Sequence, residues 1–181
     1  MIRWQNLLRI VGFFVLALTG SLALTTLCAL LLGTSDITPL VSATITAGGL
    51  GGFLVLAFRS APREISHREG ILLVLITWGA FSALGALPFY FSGYFGGFTD
   101  SFFESISGFT TTGATILEDI EAVPRGLLLW RALTQWIGGM GIILLGIAIL
   151  PLIGTGGMEL YRSEFSGAKS EKLAPRVAET A

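Results

Sequence analysis

Residues 99–115 read TDSFFESISGFTTTGAT, and they lie between two long apolar segments. Residues 99–109 have apolar side chains at positions 102, 103, 106 and 109, which is helical spacing, and cap-forming residues at their start. Such a helix is about 16 Å long, roughly half the hydrocarbon core of a bilayer. It is too short to span a membrane, so we expect it to enter from one side and return to that side.

The hydroxyl-rich segment that follows, residues 110–115, has no helical pattern. Non-helical backbone at membrane depth is tolerated only where it is buried in protein or lines a water-filled path. Small residues and a glycine allow an extended backbone to turn successive carbonyl oxygens toward one axis, where they replace the hydration shell of a cation. The C-terminal end of the short helix adds partial negative charge nearby. The pattern predicts an ion-selectivity filter.

The composition predicts an integral membrane protein. Hydrophobic residues make up 52% of the 181 residues and charged residues only 13%, and the mean hydropathy is +0.77. Charged side chains are absent from four stretches: residues 10–35, 37–58, 70–99 and 132–158. Each stretch meets the requirement of about 20 apolar residues for crossing a bilayer. We therefore expect an all-α fold with four transmembrane helices, one re-entrant pore helix and a filter loop.

Charge and motif content exclude other function classes. The net charge of −1 provides no basic surface for nucleic acid. No pair of carboxylates, no nucleophile with a base and no metal-ligand cluster stands out in the sequence, so neither an enzyme nor an organic cofactor is expected. Membrane lipid is the expected surrounding.

The positive charges predict the orientation in the membrane. Nine of the 11 Lys and Arg residues occur before the first apolar stretch, between the second and third, or after the last: Arg3, Arg9, Arg59, Arg63, Arg68, Arg162, Lys169, Lys172 and Arg176. By the positive-inside rule these segments are cytoplasmic. Residues 33–36 and 99–123 carry neither Lys nor Arg, so they are expected outside. Both termini are then cytoplasmic.

Several motifs, in order, resemble the first membrane–pore–membrane repeat of the Trk/Ktr potassium transporters, most closely the bacterial TrkH type. They are residues 102–114 (FFESISGFTTTGA), 130–131 (WR), 135–142 (QWIGGMGI), 149–151 (ILP) and 156–162 (GGMELYR). Residues 68–70 (REG) and 86–89 (ALPF) fit the same pattern, as do the two leading helices. The resemblance covers essentially the whole chain.

This resemblance implies potassium uptake across the bacterial cytoplasmic (inner) membrane. It implies a single pore surrounded by four repeats of one polypeptide, a homodimer of the full-length protein, and a cytosolic regulatory ring of nucleotide-binding subunits of the TrkA type. Potassium is then the transported ion.

Carried over residue by residue, the resemblance assigns the filter to Thr110, Thr111, Thr112 and Gly113. The carbonyls of Thr111, Thr112 and Gly113 are the expected potassium contacts, and the hydroxyl of Thr110 is a candidate at the inner end. Arg131 is expected either to pair with Glu104 and support the filter or to extend to the outer interface.

The chain departs from the family in carrying one repeat where the family carries four. We expect two leading helices in residues 1–69, the first repeat in 70–160, and in 161–181 a polar cytoplasmic tail leading to a next repeat. The remaining repeats of the same transporter are then its partners. Two alternatives are a non-conducting accessory membrane subunit and a one-repeat channel subunit that forms a homotetramer.

Overall fold

The computed structural model describes residues 2–59 and 67–149. Six α-helices lie within these residues: α1 (Trp4–Leu32), α2 (Ile37–Ala57), α3 (His67–Gly85), α4 (Leu87–Ser92), α5 (Phe98–Phe109) and α6 (Arg125–Ile149). Residues 1–141 form one compact unit. The second unit, residues 142–181, is described only for its helical residues 142–149.

The prediction of an all-helical membrane protein is confirmed in the described part of the chain. Three segments there are long and apolar enough to cross a membrane: Trp4–Leu32, Ile37–Ala57 and Glu69–Ser92. The stretch predicted to form the fourth crossing, residues 132–158, extends beyond the described residues, so this crossing stays a prediction. The predicted domain boundaries after residues 69 and 160 also stay predictions.

Helices α1 and α2 form an antiparallel hairpin. The buried side chains of α1 recur at helical spacing along one face, at Leu7, Val11, Val15, Leu18 and Leu22. The hydroxyls of Thr26 and Thr44 lie 3.2 Å apart and link the two helices. The opposite face of α1 exposes Phe13, Leu24 and Leu31, as expected where lipid replaces water.

The third apolar segment is interrupted. Helix α3 ends at Gly85, and α4 begins at Leu87 with Pro88 in its first turn. Proline has no backbone N–H for the helical ladder, and it is tolerated in a first turn. The carbonyl oxygen of Gly85, at this break, accepts a hydrogen bond of 2.9 Å from the indole Nε1 of the buried Trp130. The break thereby joins the third segment to α6.

Two buried carboxylates tie the α1–α2 hairpin to the rest of the unit, one at each end. Glu69, at the start of α3, accepts hydrogen bonds of 2.7 Å from the backbone N–H of Arg3 and 3.3 Å from its guanidinium. Asp36, in the loop between α1 and α2, accepts one of 2.6 Å from the N–H of Leu127 in α6. Segments predicted on the same side of the membrane thus contact each other in both cases.

Helix α5 begins one residue earlier than expected and ends where the sequence places it. Its 12 residues cover about 18 Å. Within this unit it buries a largely polar face that includes Ser101, Glu104 and Ser105, while Phe103 and Ile106 are exposed. The helix therefore faces its own chain with several polar side chains and with the buried Phe109, and it presents apolar side chains outward.

Candidate functional site

The predicted filter begins where α5 ends. The N–H of Thr110 bonds to the carbonyl of Ile106, and that of Thr111 bonds to the carbonyl of Gly108, both at 2.9 Å. The backbone then turns twice into the left-handed region, at Thr111 (φ 57°) and Gly113 (φ 74°). The backbone therefore changes direction at Thr111 and at Gly113 as it leaves the helix.

The carbonyl oxygens of this segment fall into two groups. Those at its two ends are engaged: Thr110 O accepts from the Thr111 hydroxyl at 2.7 Å, and Ala114 O accepts from the Ser107 hydroxyl at 2.6 Å. The carbonyls of residues 111–113 accept no hydrogen bond from any described residue, and these residues are exposed. Three consecutive carbonyls are thus available to an ion.

The threonine hydroxyls are partly committed to the chain itself. The Thr110 hydroxyl donates to the carbonyl of Ile106 at 2.7 Å and lies 2.8 Å from the Thr112 hydroxyl. The Thr110 side chain is exposed, and its oxygen keeps acceptor capacity. These bonds link the two hydroxyls to each other and to the last turn of α5.

Glu104 holds the segment that follows the predicted filter. Its Oε2 atom accepts hydrogen bonds from the hydroxyl of Thr115 at 2.9 Å and from the N–H of Ile116 at 3.2 Å. Its Oε1 atom accepts from Nε of Arg131 at 2.5 Å. The Glu104 side chain is completely buried, whereas that of Arg131 is 19% exposed. The structure therefore brings together the two residues expected to support the filter, and Arg131 pairs with Glu104 rather than extending to the interface.

One face of α6 packs against the end of α5, next to the predicted filter segment. A Cβ placed on Gly138 would overlap the backbone of Phe109, the last residue of α5. Thr134 packs in the same way against Gly108, and the Gln135 side chain is the neighbour closest to Gly113. The lack of a side chain at Gly138 and at Gly108 thus allows α6 to contact the end of α5 closely.

Two residues that matter to this arrangement were not predicted from the sequence. In the sequence, Trp130 is only part of a motif, and its bond to Gly85 depends on the helix break. The charge pattern places Asp36 in an outer loop, yet its side chain is buried against α6. A signal existed for Asp36, since it is the only charged residue between positions 10 and 58. A lone charge between two apolar helices indicates a specific partner.

Comparison with known proteins gives one family. The model of the TrkH family, described as "Cation transport protein", matches residues 39–181. The chain is 42% identical over 180 residues to the Trk system potassium uptake protein TrkH of Salmonella typhimurium, and 38% identical over 133 residues to TrkG of Escherichia coli K12. These alignments cover 98% and 72% of the chain.

The fold agrees with a solved structure from the same group. The crystal structure of the potassium transporter TrkH from Vibrio parahaemolyticus matches with a TM-score of 0.80 and 33% identity. The match covers 99% of this chain and 35% of the other. The chain likewise spans 37% of the length of the Salmonella protein and 27% of the length of the E. coli TrkG protein.

Proposed function

The chain belongs to the TrkH family of cation transport proteins, which are transporters and not enzymes, and we propose that it supplies one filter segment of a potassium-uptake pore. The free carbonyls of Thr111, Thr112 and Gly113 carry this proposal. Oxygens in series can replace the hydration shell of a potassium ion, as they do in channel filters. Two of these relatives are named potassium uptake proteins of the Trk system and the third is named a potassium transporter, and these names support potassium as the ion.

A complete site needs more filter segments than the single one found among the described residues. Carbonyls surround an ion from several directions, whereas residues 110–113 form a single exposed segment. We propose that three further repeats of a longer polypeptide complete the pore. The much greater length of the relatives supports this arrangement.

The surroundings of the complete protein follow from the resemblance to Trk/Ktr transporters. The three apolar helices support a multi-pass membrane protein. Its place is the inner membrane, with both termini in the cytoplasm. The full-length protein forms a homodimer, and a TrkA-type nucleotide-binding ring regulates it from the cytosol.

Two other functions make different demands on the same site. An accessory subunit needs no ion contacts, which leaves the free carbonyls of residues 111–113 without a role. A homotetramer of one-repeat subunits would use those carbonyls four times around one axis. Expressing the parts of the transporter separately and together distinguishes both alternatives from the proposal.

The test is growth of a potassium-uptake-deficient host on low potassium. The host receives residues 1–181, the remaining repeats of the proposed transporter, or both. We expect rescue only with both, because each part alone lacks filter segments. Rescue by residues 1–181 alone would favour the homotetramer, and rescue by the remaining repeats alone would favour the accessory subunit. Failure of both parts together, with both present in the membrane, would reject the potassium-uptake proposal.

A further inference from the structure

We propose that Asp36 is a positioning residue for the filter, acting from the α1–α2 loop on the N-terminal end of α6. This proposal rests on the filter function proposed above. It assigns the leading hairpin a part in ion selection, although the hairpin contributes no filter residue.

Asp36 behaves as a helix cap supplied by a distant part of the chain. Its side chain is buried, with 2% of the residue exposed. Oδ2 accepts from the N–H of Leu127 at 2.6 Å, and Oδ1 accepts from the hydroxyl of Thr34 at 2.5 Å. The first N–H groups of a helix have no partner within the helix and carry partial positive charge. A buried carboxylate at that end meets both requirements.

Gly126 provides the space for this carboxylate. A Cβ at position 126 would lie 2.5 Å from Oδ2 and 2.8 Å from Oδ1 of Asp36. The backbone φ of Gly126 is not in the left-handed region, so glycine is needed there for room and not for conformation. The cap and the glycine therefore form a matched pair, 90 positions apart in the sequence.

A short chain of contacts leads from this cap to the filter. Arg131 lies one turn after Leu127 on the same helix, and its guanidinium bonds to Glu104. Glu104 in turn holds Thr115 and Ile116, the residues that leave the filter. A shift at the start of α6 displaces Arg131 and loosens the hold on this segment. Asp36 thus acts on residues 110–117 through α6.

A merely structural cap would stabilise the whole protein and would not stabilise residues 110–117 more than other segments. The two roles differ in where the protein opens when the cap is lost. A positioning role predicts that hydrogen exchange rises first in residues 110–117, whereas a structural role predicts an equal rise in α1 and in the filter segment.

The experiment is a double-mutant cycle in the complete transporter. Its variants are Asp36→Ala, Gly126→Ala and the double variant, with Asp36→Asn as the conservative change. Gly20→Ala is the matched control, because Gly20 is exposed on α1 and a Cβ there meets nothing within 4 Å. Amide exchange of residues 110–117 is compared with that of α1 by mass spectrometry of purified protein. Potassium uptake in the presence of sodium is measured in cells.

Asp36→Ala and Gly126→Ala are each expected to raise exchange in residues 110–117 about ten-fold, which corresponds to about 1.4 kcal/mol. Both should lower the preference for potassium over sodium more than they lower membrane abundance. Asp36→Asn keeps an acceptor oxygen, so its effect should stay below about three-fold. Gly126→Ala should add nothing to Asp36→Ala, because the carboxylate that it displaces is already gone.

Three results would overturn the proposal: additive effects of the two changes, equal rises in α1 and the filter segment, or an effect of Gly20→Ala as large as that of Gly126→Ala. Should Asp36→Ala fail to fold, the same comparison is made with Asp36→Asn and Gly126→Ala. If the unchanged transporter takes up no potassium, the proposed filter function is rejected. The role of Asp36 is tested separately, because the exchange measurements show whether Asp36 positions residues 110–117.

Discussion

The guanidinium Nε of Arg131 lies 2.5 Å from Oε1 of Glu104, so that α6 and α5 are joined by an ion pair beside the proposed filter segment. The other oxygen of the same carboxylate holds Thr115 and Ile116. A charge inside a membrane protein is costly unless it is paired and hydrogen-bonded, and Glu104 meets both conditions. One buried side chain therefore connects two helices and the end of the filter.

Removing only the positive charge of this pair should lower the stability of the protein more than removing both charges. Arg131→Met leaves the buried carboxylate without a countercharge, which costs about 3–5 kcal/mol. The double variant Glu104→Gln/Arg131→Met removes both charges and should recover part of that loss. The measurement is the melting temperature of the purified complete transporter. Arg125→Met, at an exposed position on the same helix, is the control. Equal melting temperatures of Arg131→Met and Arg125→Met would contradict the assigned role of the pair.

Gly113 should control selectivity more than stability. Its φ of 74° costs about 1–2 kcal/mol for a residue with a side chain, whereas the space around it is open, with the nearest atom 3.9 Å from an added Cβ. Gly113→Ser should therefore fold but shift the carbonyls of residues 111–113. We expect a lower ratio of potassium to sodium uptake at nearly unchanged membrane abundance. Thr112→Ser, which keeps the backbone, should be much milder. An unchanged ratio in Gly113→Ser would remove this glycine from the filter.

The sequence predicted the three described membrane-spanning segments, because membrane helices are marked by long charge-free stretches. It also predicted α5 to within one residue, since the apolar spacing and the polar start are local signals. The break between α3 and α4 and the bond from Trp130 to Gly85 were not predicted. Both depend on which helices are neighbours, and neither periodicity nor charge specifies that.

The contact of Asp36 with Leu127 was missed for a related reason. The isolation of Asp36 between two charge-free stretches indicates a partner, but nothing in the sequence identifies that partner as the N–H of Leu127, 91 positions later. By contrast, a pair between Glu104 and Arg131 was one of the two arrangements that the sequence predicted for Arg131. Both charges lie next to the same short segment, where a buried charge needs a partner.

The adjacent glycines of α6 should respond very differently to the same substitution. Gly138→Ala places a methyl group onto the backbone of Phe109, whereas in Gly139→Ala the nearest atom is the Thr111 methyl at 3.7 Å. Backbone cannot move aside as a flexible side chain can, so Gly138→Ala should separate α6 from α5. We expect a loss of about 1–3 kcal/mol, as for overpacked cores. Gly139→Ala should be neutral or slightly stabilising, because alanine is the better helix former. Thermal unfolding of both variants decides the matter, and similar melting temperatures would show that this contact is not tight.

The orientation in the membrane can be tested with single cysteines, after the native Cys28 has been replaced by serine. The contacts of Asp36 with Leu127 and of Arg3 with Glu69 support two groups of segments, one at each end of the helices. The distribution of Lys and Arg assigns the end with Arg3 to the cytoplasm. An impermeant maleimide should therefore label Ser35→Cys and Glu118→Cys in intact cells, both at exposed positions. It should reach Ile2→Cys only after permeabilisation.

Labelling of Ile2→Cys but not Glu118→Cys in intact cells would show that the orientation is the reverse of the predicted one, with α5 entering the membrane from the cytoplasm. Labelling of Ser35→Cys without Glu118→Cys, each verified as reactive in detergent, would contradict the grouping itself and with it the capping of α6 by Asp36.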